Sequence, residues 1–232
     1  DTITVTTCNT PITPTFNSIA PVCQNSTPAP SLPTSSTNVP AITGTWSPAT
    51  ISTTTAGTFT YTFTPDDGQN ATTASMTVTI NAPITPAFTE VSPICKGEGL
   101  SDLPTTSTNG IIGTWLPALD DTTTTTYTFT PTAGQCANTT TMAIIVNPKP
   151  NPGTLTGTNT ICVQDTTTIT SSISGGVWTT PDTNYISITN TTANSCTITG
   201  IDSTLTLGTG FATLTYTVTD PTTNCSRSVS RK

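Results

Sequence analysis

The chain has 232 residues and a net charge of −7, and only 7% of its residues are charged, against about 25% in an average soluble protein. An acidic surface does not attract phosphate backbones or anionic lipid, so nucleic acid and membrane surfaces are excluded as expected partners. The sequence contains no histidine, which removes the usual general base of serine and cysteine nucleophiles.

Two closely related repeats follow a short N-terminal stretch. The motif PITP begins at Pro11 and again at Pro83, and PVCQ and PICK place Cys23 and Cys95 at the same offset of 72 residues. The sequence therefore predicts one domain over 11–82 and a second over 83–148. Residues 1–10 are expected to form the last strand of an incomplete preceding domain, so the chain is interpreted as a mature segment or an excerpt.

A third repeat, over 149–232, keeps the same landmarks with different spacing. Its landmarks are TICVQD, GGVW and ATLTYTVTD, and 38 residues separate Trp178 from Tyr216, whereas 12 separate Trp115 from Tyr127. This leaves room for two further strands, at YISI (185–188) and SCTIT (195–199).

Strict alternation of threonine with larger residues predicts the secondary structure. In TFTYTFTP, Phe59, Tyr61 and Phe63 fall on one face of an extended strand and the threonines on the other. No window has helical periodicity, so we expect an all-β chain of small antiparallel β-sandwiches, joined as a rod by the proline-rich linkers NAPITP and NPKPNPG. Disorder and a mucin-like stalk are the alternatives that the composition leaves open.

Six aromatic residues at recurring places are predicted to form the cores. A sugar-stacking surface is the alternative for the tryptophans. The six residues are Trp46, Trp115, Trp178, Tyr61, Tyr127 and Tyr216.

The seven cysteines predict structural disulfides, because small domains need covalent support and the sequence has neither CxxC nor histidine for a zinc site. Cys136 and Cys225 each lie nine residues beyond their tyrosine, and Asn70 holds that place in the first repeat. We expect the pairs Cys95–Cys136 and Cys162–Cys225. Cys8 is the nearest candidate partner for Cys23, and Cys196 is left without an explanation. Disulfides place the protein in an oxidising compartment.

The acidic doublets Asp66-Asp67 and Asp120-Asp121 stand at different places in their repeats. They are interpreted as turn formers rather than a catalytic pair, with a weak calcium site as the alternative. No catalytic residue, metal ligand or cofactor site is predicted.

The Cys, GTW and TYTFTP landmarks together resemble immunoglobulin-like repeats of very large surface adhesins from gliding and related Bacteroidetes bacteria. The third unit is similar to the bacterial Ig-like repeats that often follow them. The resemblance spans about residues 11–230 and implies secretion by the type IX route to the cell surface, as part of a repetitive stalk without chemistry. It also implies O-glycosylation at Asp-Ser/Thr motifs, for which the candidates are Thr2, Thr122, Thr166 and Ser203.

The leading functional hypothesis is a structural and adhesive segment of an extracellular, cell-surface protein. Its expected partners are neighbouring repeats, copies of itself, surface glycans or other cells. Two alternatives remain: a carbohydrate-binding or spacer region of a secreted polysaccharide-degrading enzyme, and a self-assembling sheath or filament subunit.

Overall fold

A computed structural model describes residues 10–201 and 210–232. Across those two ranges the chain forms sixteen strands and no helix. The prediction of an all-β fold is therefore confirmed, and the scattered prolines and β-branched residues explain why no segment becomes helical.

The chain forms two compact units. The first contains Asp1–Thr89, Pro104–Leu116 and Thr128–Thr141, and the second contains Glu90–Leu103, Pro117–Tyr127 and Met142–Lys232. The second sequence repeat thus contributes segments to both units. The predicted domains at 11–82, 83–148 and 149–232, and their arrangement as a rod, stay predictions.

The first repeat forms one four-stranded sheet in the order β1-β4-β3-β2. Its strands are β1 (Val22–Cys23), β2 (Gly44–Ser47), β3 (Gly57–Pro65) and β4 (Ala74–Asn81). β1 is parallel to β4, and the other pairs are antiparallel. The alternation in β3 buries Tyr61 and Phe63, while Thr60, Thr62 and Thr64 face solvent.

The second repeat has a closely similar set of strands. These are β5 (Ile94–Cys95), β6 (Gly113–Leu116), β7 (Thr125–Pro131), β8 (Thr140–Ile144) and β9 (Val146–Asn147). β6, β7 and β8 form one sheet, and β5 lies parallel to β9 in another. Tyr127 and Phe129 of β7 are fully buried, and Tyr61 and Phe63 are buried at the corresponding places of β3.

The third repeat is a two-sheet structure. Its strands are β10 (Leu155–Thr156), β11 (Thr166–Ser171), β12 (Val177–Thr179), β13 (Ile186–Thr191), β14 (Ser195–Gly200), β15 (Leu214–Thr219) and β16 (Ser226–Arg231). The sheets have the orders β10-β11-β14-β13 and β12-β15-β16. The two extra strands predicted at 185–188 and 195–199 are confirmed as β13 and β14. Both sheets contribute to one core, in which Ile169, Trp178 and Tyr216 are buried.

The tryptophans differ in burial although they follow the same glycine-led motif. Trp178 is buried, whereas Trp46 and Trp115 are half-buried at the edges of their cores. Each of these two rings packs on a pair of phenylalanines with centroid distances of 4.8 to 5.2 Å. The pairs are Phe16 with Phe63, and Phe88 with Phe129.

Phe16 and Phe88 were not among the predicted core residues. They stand at the same offset of 72 residues that relates Cys23 to Cys95, and this repetition is the signal that could have found them.

Candidate functional site, the inter-repeat disulfides

Cys23 and Cys95 each end a two-residue strand and begin equivalent turns. The carbonyl of Cys23 accepts a hydrogen bond from the Ser26 amide (3.1 Å), and that of Cys95 accepts one from the Glu98 amide (3.0 Å). In both turns the third residue has a positive φ, 61° at Asn25 and 69° at Gly97. Glycine and asparagine adopt this conformation at low cost, so the local sequence explains the shared geometry. We call these two segments the cysteine turns.

Cys136 lies in the hairpin loop between β7 and β8, where Asn70 lies in the first repeat. Both residues have φ of 46°. The carbonyl of Cys136 accepts a hydrogen bond from the Ile84 amide (2.7 Å), and that of Asn70 accepts one from the Ile12 amide (2.9 Å). The two hairpins therefore share this backbone conformation and this hydrogen bond. At this position the first hairpin has asparagine and the second has cysteine.

Cys225 occupies the hairpin between β15 and β16 in the third repeat. Its carbonyl accepts a hydrogen bond from the Asp220 amide (2.8 Å), which closes the loop, and the preceding Asn224 has φ of 59°. Its side chain is fully buried. We call Cys136 and Cys225 the hairpin cysteines.

Two disulfides join the cysteine turns to the hairpin cysteines, and each lies within one compact unit. Cys23 bonds to Cys136 across 113 residues of sequence, and Cys95 bonds to Cys225 across 130. The Cα separations of 5.2 and 5.6 Å are ordinary for disulfides. In both cases the turn of one repeat is bonded to the hairpin of the next repeat.

The predicted pairs Cys95–Cys136 and Cys162–Cys225 are therefore wrong. The equal spacing from tyrosine to cysteine marks equivalent positions in successive repeats, but it carries no information on which turn approaches each hairpin. The packing of the preceding repeat's turn against the hairpin decides that. Cys8, proposed as the partner of Cys23, lies outside the described residues, and Cys23 is bonded to Cys136 instead.

Among the described residues, two cysteines remain as thiols. Cys162, a predicted disulfide residue, is exposed, and Cys196 is buried in the core of the third repeat. Burial raises the pKa of the Cys196 thiol to about 11, because a thiolate is poorly solvated there. Cys196 thus behaves as a small apolar core residue, which explains the cysteine that the sequence left unassigned.

The acidic doublets take part in local hydrogen bonds. Asp66 accepts from the Thr43 hydroxyl (2.6 Å), and Asp121 accepts from the Gly99 amide (3.0 Å). The Thr122 hydroxyl (2.6 Å), the Thr123 hydroxyl (2.7 Å) and the Thr122 amide (2.8 Å) lower the pKa of Asp120 to about 2. No group of three candidate metal-ligating side chains occurs within 10–201 and 210–232.

Two of the four candidate glycosylation residues lie in the described part of the chain, and both are exposed. Thr122 is in the loop before β7, and Thr166 begins β11. Thr2 and Ser203 lie outside the described residues.

Comparison with known proteins gives distant likenesses only. No family model matches the chain, and no curated protein matches it. Within residues 10–201 and 210–232, no helix is long and apolar enough to cross a membrane.

Three solved structures illustrate how distant the likenesses are. An endo-fucoidan hydrolase from glycoside hydrolase family 107 is 15% identical with a TM-score of 0.22, and 78% of this chain covers 34% of that chain. Extracellular cadherin domains 1–4 of protocadherin gamma B7 are 12% identical with a TM-score of 0.24, covering 75% of this chain and 56% of that one. The Bacteroides ovatus protein SGBP-B from a mixed-linkage glucan utilization locus, in complex with a mixed-linkage heptasaccharide, is 14% identical with a TM-score of 0.20, covering 91% and 65%.

The chain thus spans about a third of the hydrolase. Scores this low carry no argument about activity or ligand. The two disulfides of this chain indicate an oxidising compartment, because such bonds persist in oxidising surroundings.

Proposed function

We propose that this chain is a non-catalytic, load-bearing segment of a bacterial cell-surface protein, as in the stalk of a large repetitive adhesin. The observation that carries the proposal is the pair of disulfides that tie each cysteine turn to the hairpin of the following repeat. A bond between neighbouring repeats does little for chemistry, but it limits how far the chain can be stretched.

The bridges shorten the covalent path between the termini. When both termini are pulled, the tension follows the shortest covalent path between them. This path runs from the N-terminus to Cys23, through the first disulfide to Cys136, back along the chain to Cys95, and through the second disulfide to Cys225. This path contains about 70 residues, so its full extension is about 25 nm, against about 80 nm for the unbridged chain. Most of the β structure therefore lies outside the path that carries the load.

Single-molecule stretching of the whole chain, held by handles at its termini, tests this proposal. The oxidised chain should stop extending at about 25 nm and the reduced chain at about 80 nm. A variant with Cys23→Ala and Cys136→Ala should extend to about 35 nm, because only the second bridge then remains. Extension of the oxidised chain to the full unbridged length would contradict the load-bearing role.

Carbohydrate binding is the second candidate, and a groove in the first unit favours it. The groove has a volume of about 540 Å³ and is lined by Pro30, Leu32, Ala49 and the half-buried ring of Trp46, among others. The Trp46 indole donates to the Pro33 carbonyl (2.7 Å), which fixes the ring. A fixed and partly exposed indole is suited to stacking on the apolar face of a sugar.

Titration with soluble cello- and laminari-oligosaccharides tests this second candidate. Binding should change tryptophan fluorescence in the wild-type chain and should be weakened by Trp46→Phe. The control is Trp178→Phe, because Trp178 is buried and cannot contact a sugar. Equal binding by both variants, or none by the wild type, would remove the groove from consideration.

A further inference from the structure

A third cysteine turn begins at Cys162. Its carbonyl accepts a hydrogen bond from the Asp165 amide (3.1 Å), and Gln164, the third residue of the turn, has φ of 68°. The corresponding residues of the first two turns are Asn25 and Gly97, whose φ values are 61° and 69°. The turn at Cys162 therefore has the same geometry as the turns whose cysteines are bonded.

The thiol of Cys162 is exposed and unbonded, unlike its two counterparts. Both hairpin cysteines of the described chain, Cys136 and Cys225, are already bonded to turns that precede them by one repeat. Cys196 is buried in the core. The described residues therefore offer Cys162 no hairpin cysteine of the kind to which Cys23 and Cys95 are bonded.

We propose that Cys162 is one half of a third inter-repeat disulfide, and that its partner is the hairpin cysteine of a further repeat of the same class. The inference does not depend on the exposed thiol alone, because the equivalent residues Cys23 and Cys95 form this bond in the same structure. It also does not depend on the load-bearing role. The bond continues the pattern in which each turn is joined to the next hairpin.

Formation of the bond is an oxidation of two thiols. The two sulfurs form one S–S bond and release two protons and two electrons, which reduce a disulfide of the oxidising compartment, such as glutathione disulfide, to two thiols. An exposed Cys162 allows this exchange, whereas the buried Cys196 does not.

The hairpin of the first repeat supplies a natural control. Asn70 has the backbone conformation of Cys136, so this hairpin fold tolerates asparagine in place of the bonding cysteine. Cysteine-to-asparagine substitution at the Cys136 position therefore removes the sulfur with little disturbance of that loop. Cys225 is fully buried and its own φ is not positive, so alanine is the substitution that removes the sulfur there.

The test extends the full chain with a second copy of residues 149–232 placed after Lys232. In this added copy the residue equivalent to Cys162 is serine. The residue equivalent to Cys225, called the added Cys225, is the intended partner of the original Cys162. Peptide mapping without reduction should recover Cys162 linked to the added Cys225, together with both native bridges. The matched control carries Cys225→Ala in the added copy, and there Cys162 should react fully with iodoacetamide.

The unextended chain provides a second measurement that does not require the added copy to fold. Without denaturant, iodoacetamide should modify Cys162 and leave Cys196 unmodified. Protection of Cys162 in this chain, its bonding to Cys196, or equal alkylation of Cys162 in the extended chain and its control would each overturn the proposal. Stretching data cannot produce these outcomes, so failure of the load-bearing role and failure of this bond are distinguishable.

Discussion

At the scale of single residues, three glycines allow the tryptophan strands to approach the aromatic strands. Gly44, Gly113 and Gly176 each stand two residues before a tryptophan. A Cβ added at Gly113 would lie 2.6 Å from Cζ of Phe129, and one at Gly176 would lie 2.5 Å from Cζ of Tyr216. These distances are shorter than real Cβ contacts, so packing requires a glycine two residues before the tryptophan, in GTW of the second repeat and in GVW of the third.

We therefore expect Gly113→Ala to lower the free energy of unfolding by about 1–3 kcal/mol, the usual cost of overpacking. Urea denaturation followed by tryptophan fluorescence would measure the change. Thr114→Ala is the matched control, because the Thr114 side chain is exposed in the same strand. The backbone carbonyl of Thr130 also lies against the added Cβ. A loss no larger than that of the control would show that both the Phe129 ring and this part of β7 can shift to make room.

At the scale of elements, the buried tyrosine of β15 connects strands and loops through its hydroxyl. The hydroxyl of Tyr216 accepts a hydrogen bond from the Gly176 amide (2.7 Å) and lies within donating distance of two carbonyls, of Ala193 (2.9 Å) and Ile173 (3.0 Å). In the second repeat, the hydroxyl of Tyr127 accepts from the Asp120 amide (2.9 Å). In the second and third repeats, the tyrosine of the TYT motif therefore supplies both an apolar core ring and a polar anchor for loops.

Tyr216→Phe should lower the free energy of unfolding by about 0.5–1.5 kcal/mol, because it removes the hydrogen bonds of the tyrosine hydroxyl with the part-buried Gly176 amide and with the Ile173 carbonyl. The Ala193 carbonyl keeps the Gly175 amide as a donor. Thermal and urea unfolding monitored by circular dichroism would measure the loss. Tyr185→Phe serves as the control, since Tyr185 is half-buried and its hydroxyl has no partner among the described residues. If both variants lost the same stability, the hydroxyl network would not be the cause.

At the scale of the whole molecule, the two disulfides restrict the unfolded chain more than bridges within single repeats would. Their sequence separations are 113 and 130 residues, whereas the pairs expected from spacing would have enclosed about 40 and about 60. Longer loops lose more entropy on closure, although the dependence is only logarithmic. Reduction should therefore destabilise all three repeats, because each bridge joins two of them. The first repeat, which has no internal bridge, loses its bond to the second.

We expect the variant with Cys95→Ala and Cys225→Ala to unfold with a free energy lower by about 4–5 kcal/mol, the chain-entropy value for loops of this size. Differential scanning calorimetry and urea denaturation would measure the loss. Cys162→Ala is the control, because this exposed thiol forms no bond in the chain. A stability equal to that of the control would mean that the bridge adds nothing to the native state.

The amino-acid sequence by itself determined the all-β class, the three repeats and the positions of the alternating strands, because alternation with a period of two is a local property. The short strands, such as β1 and β5, carry no such alternation and were not predicted. It also marked Cys23, Cys95, Cys136 and Cys225 as disulfide residues through their recurring spacing. Only the tertiary structure decided which of them are bonded. That choice depends on which turn packs against each hairpin more than a hundred residues away, and the contact is made by the fold as a whole and has no local signature.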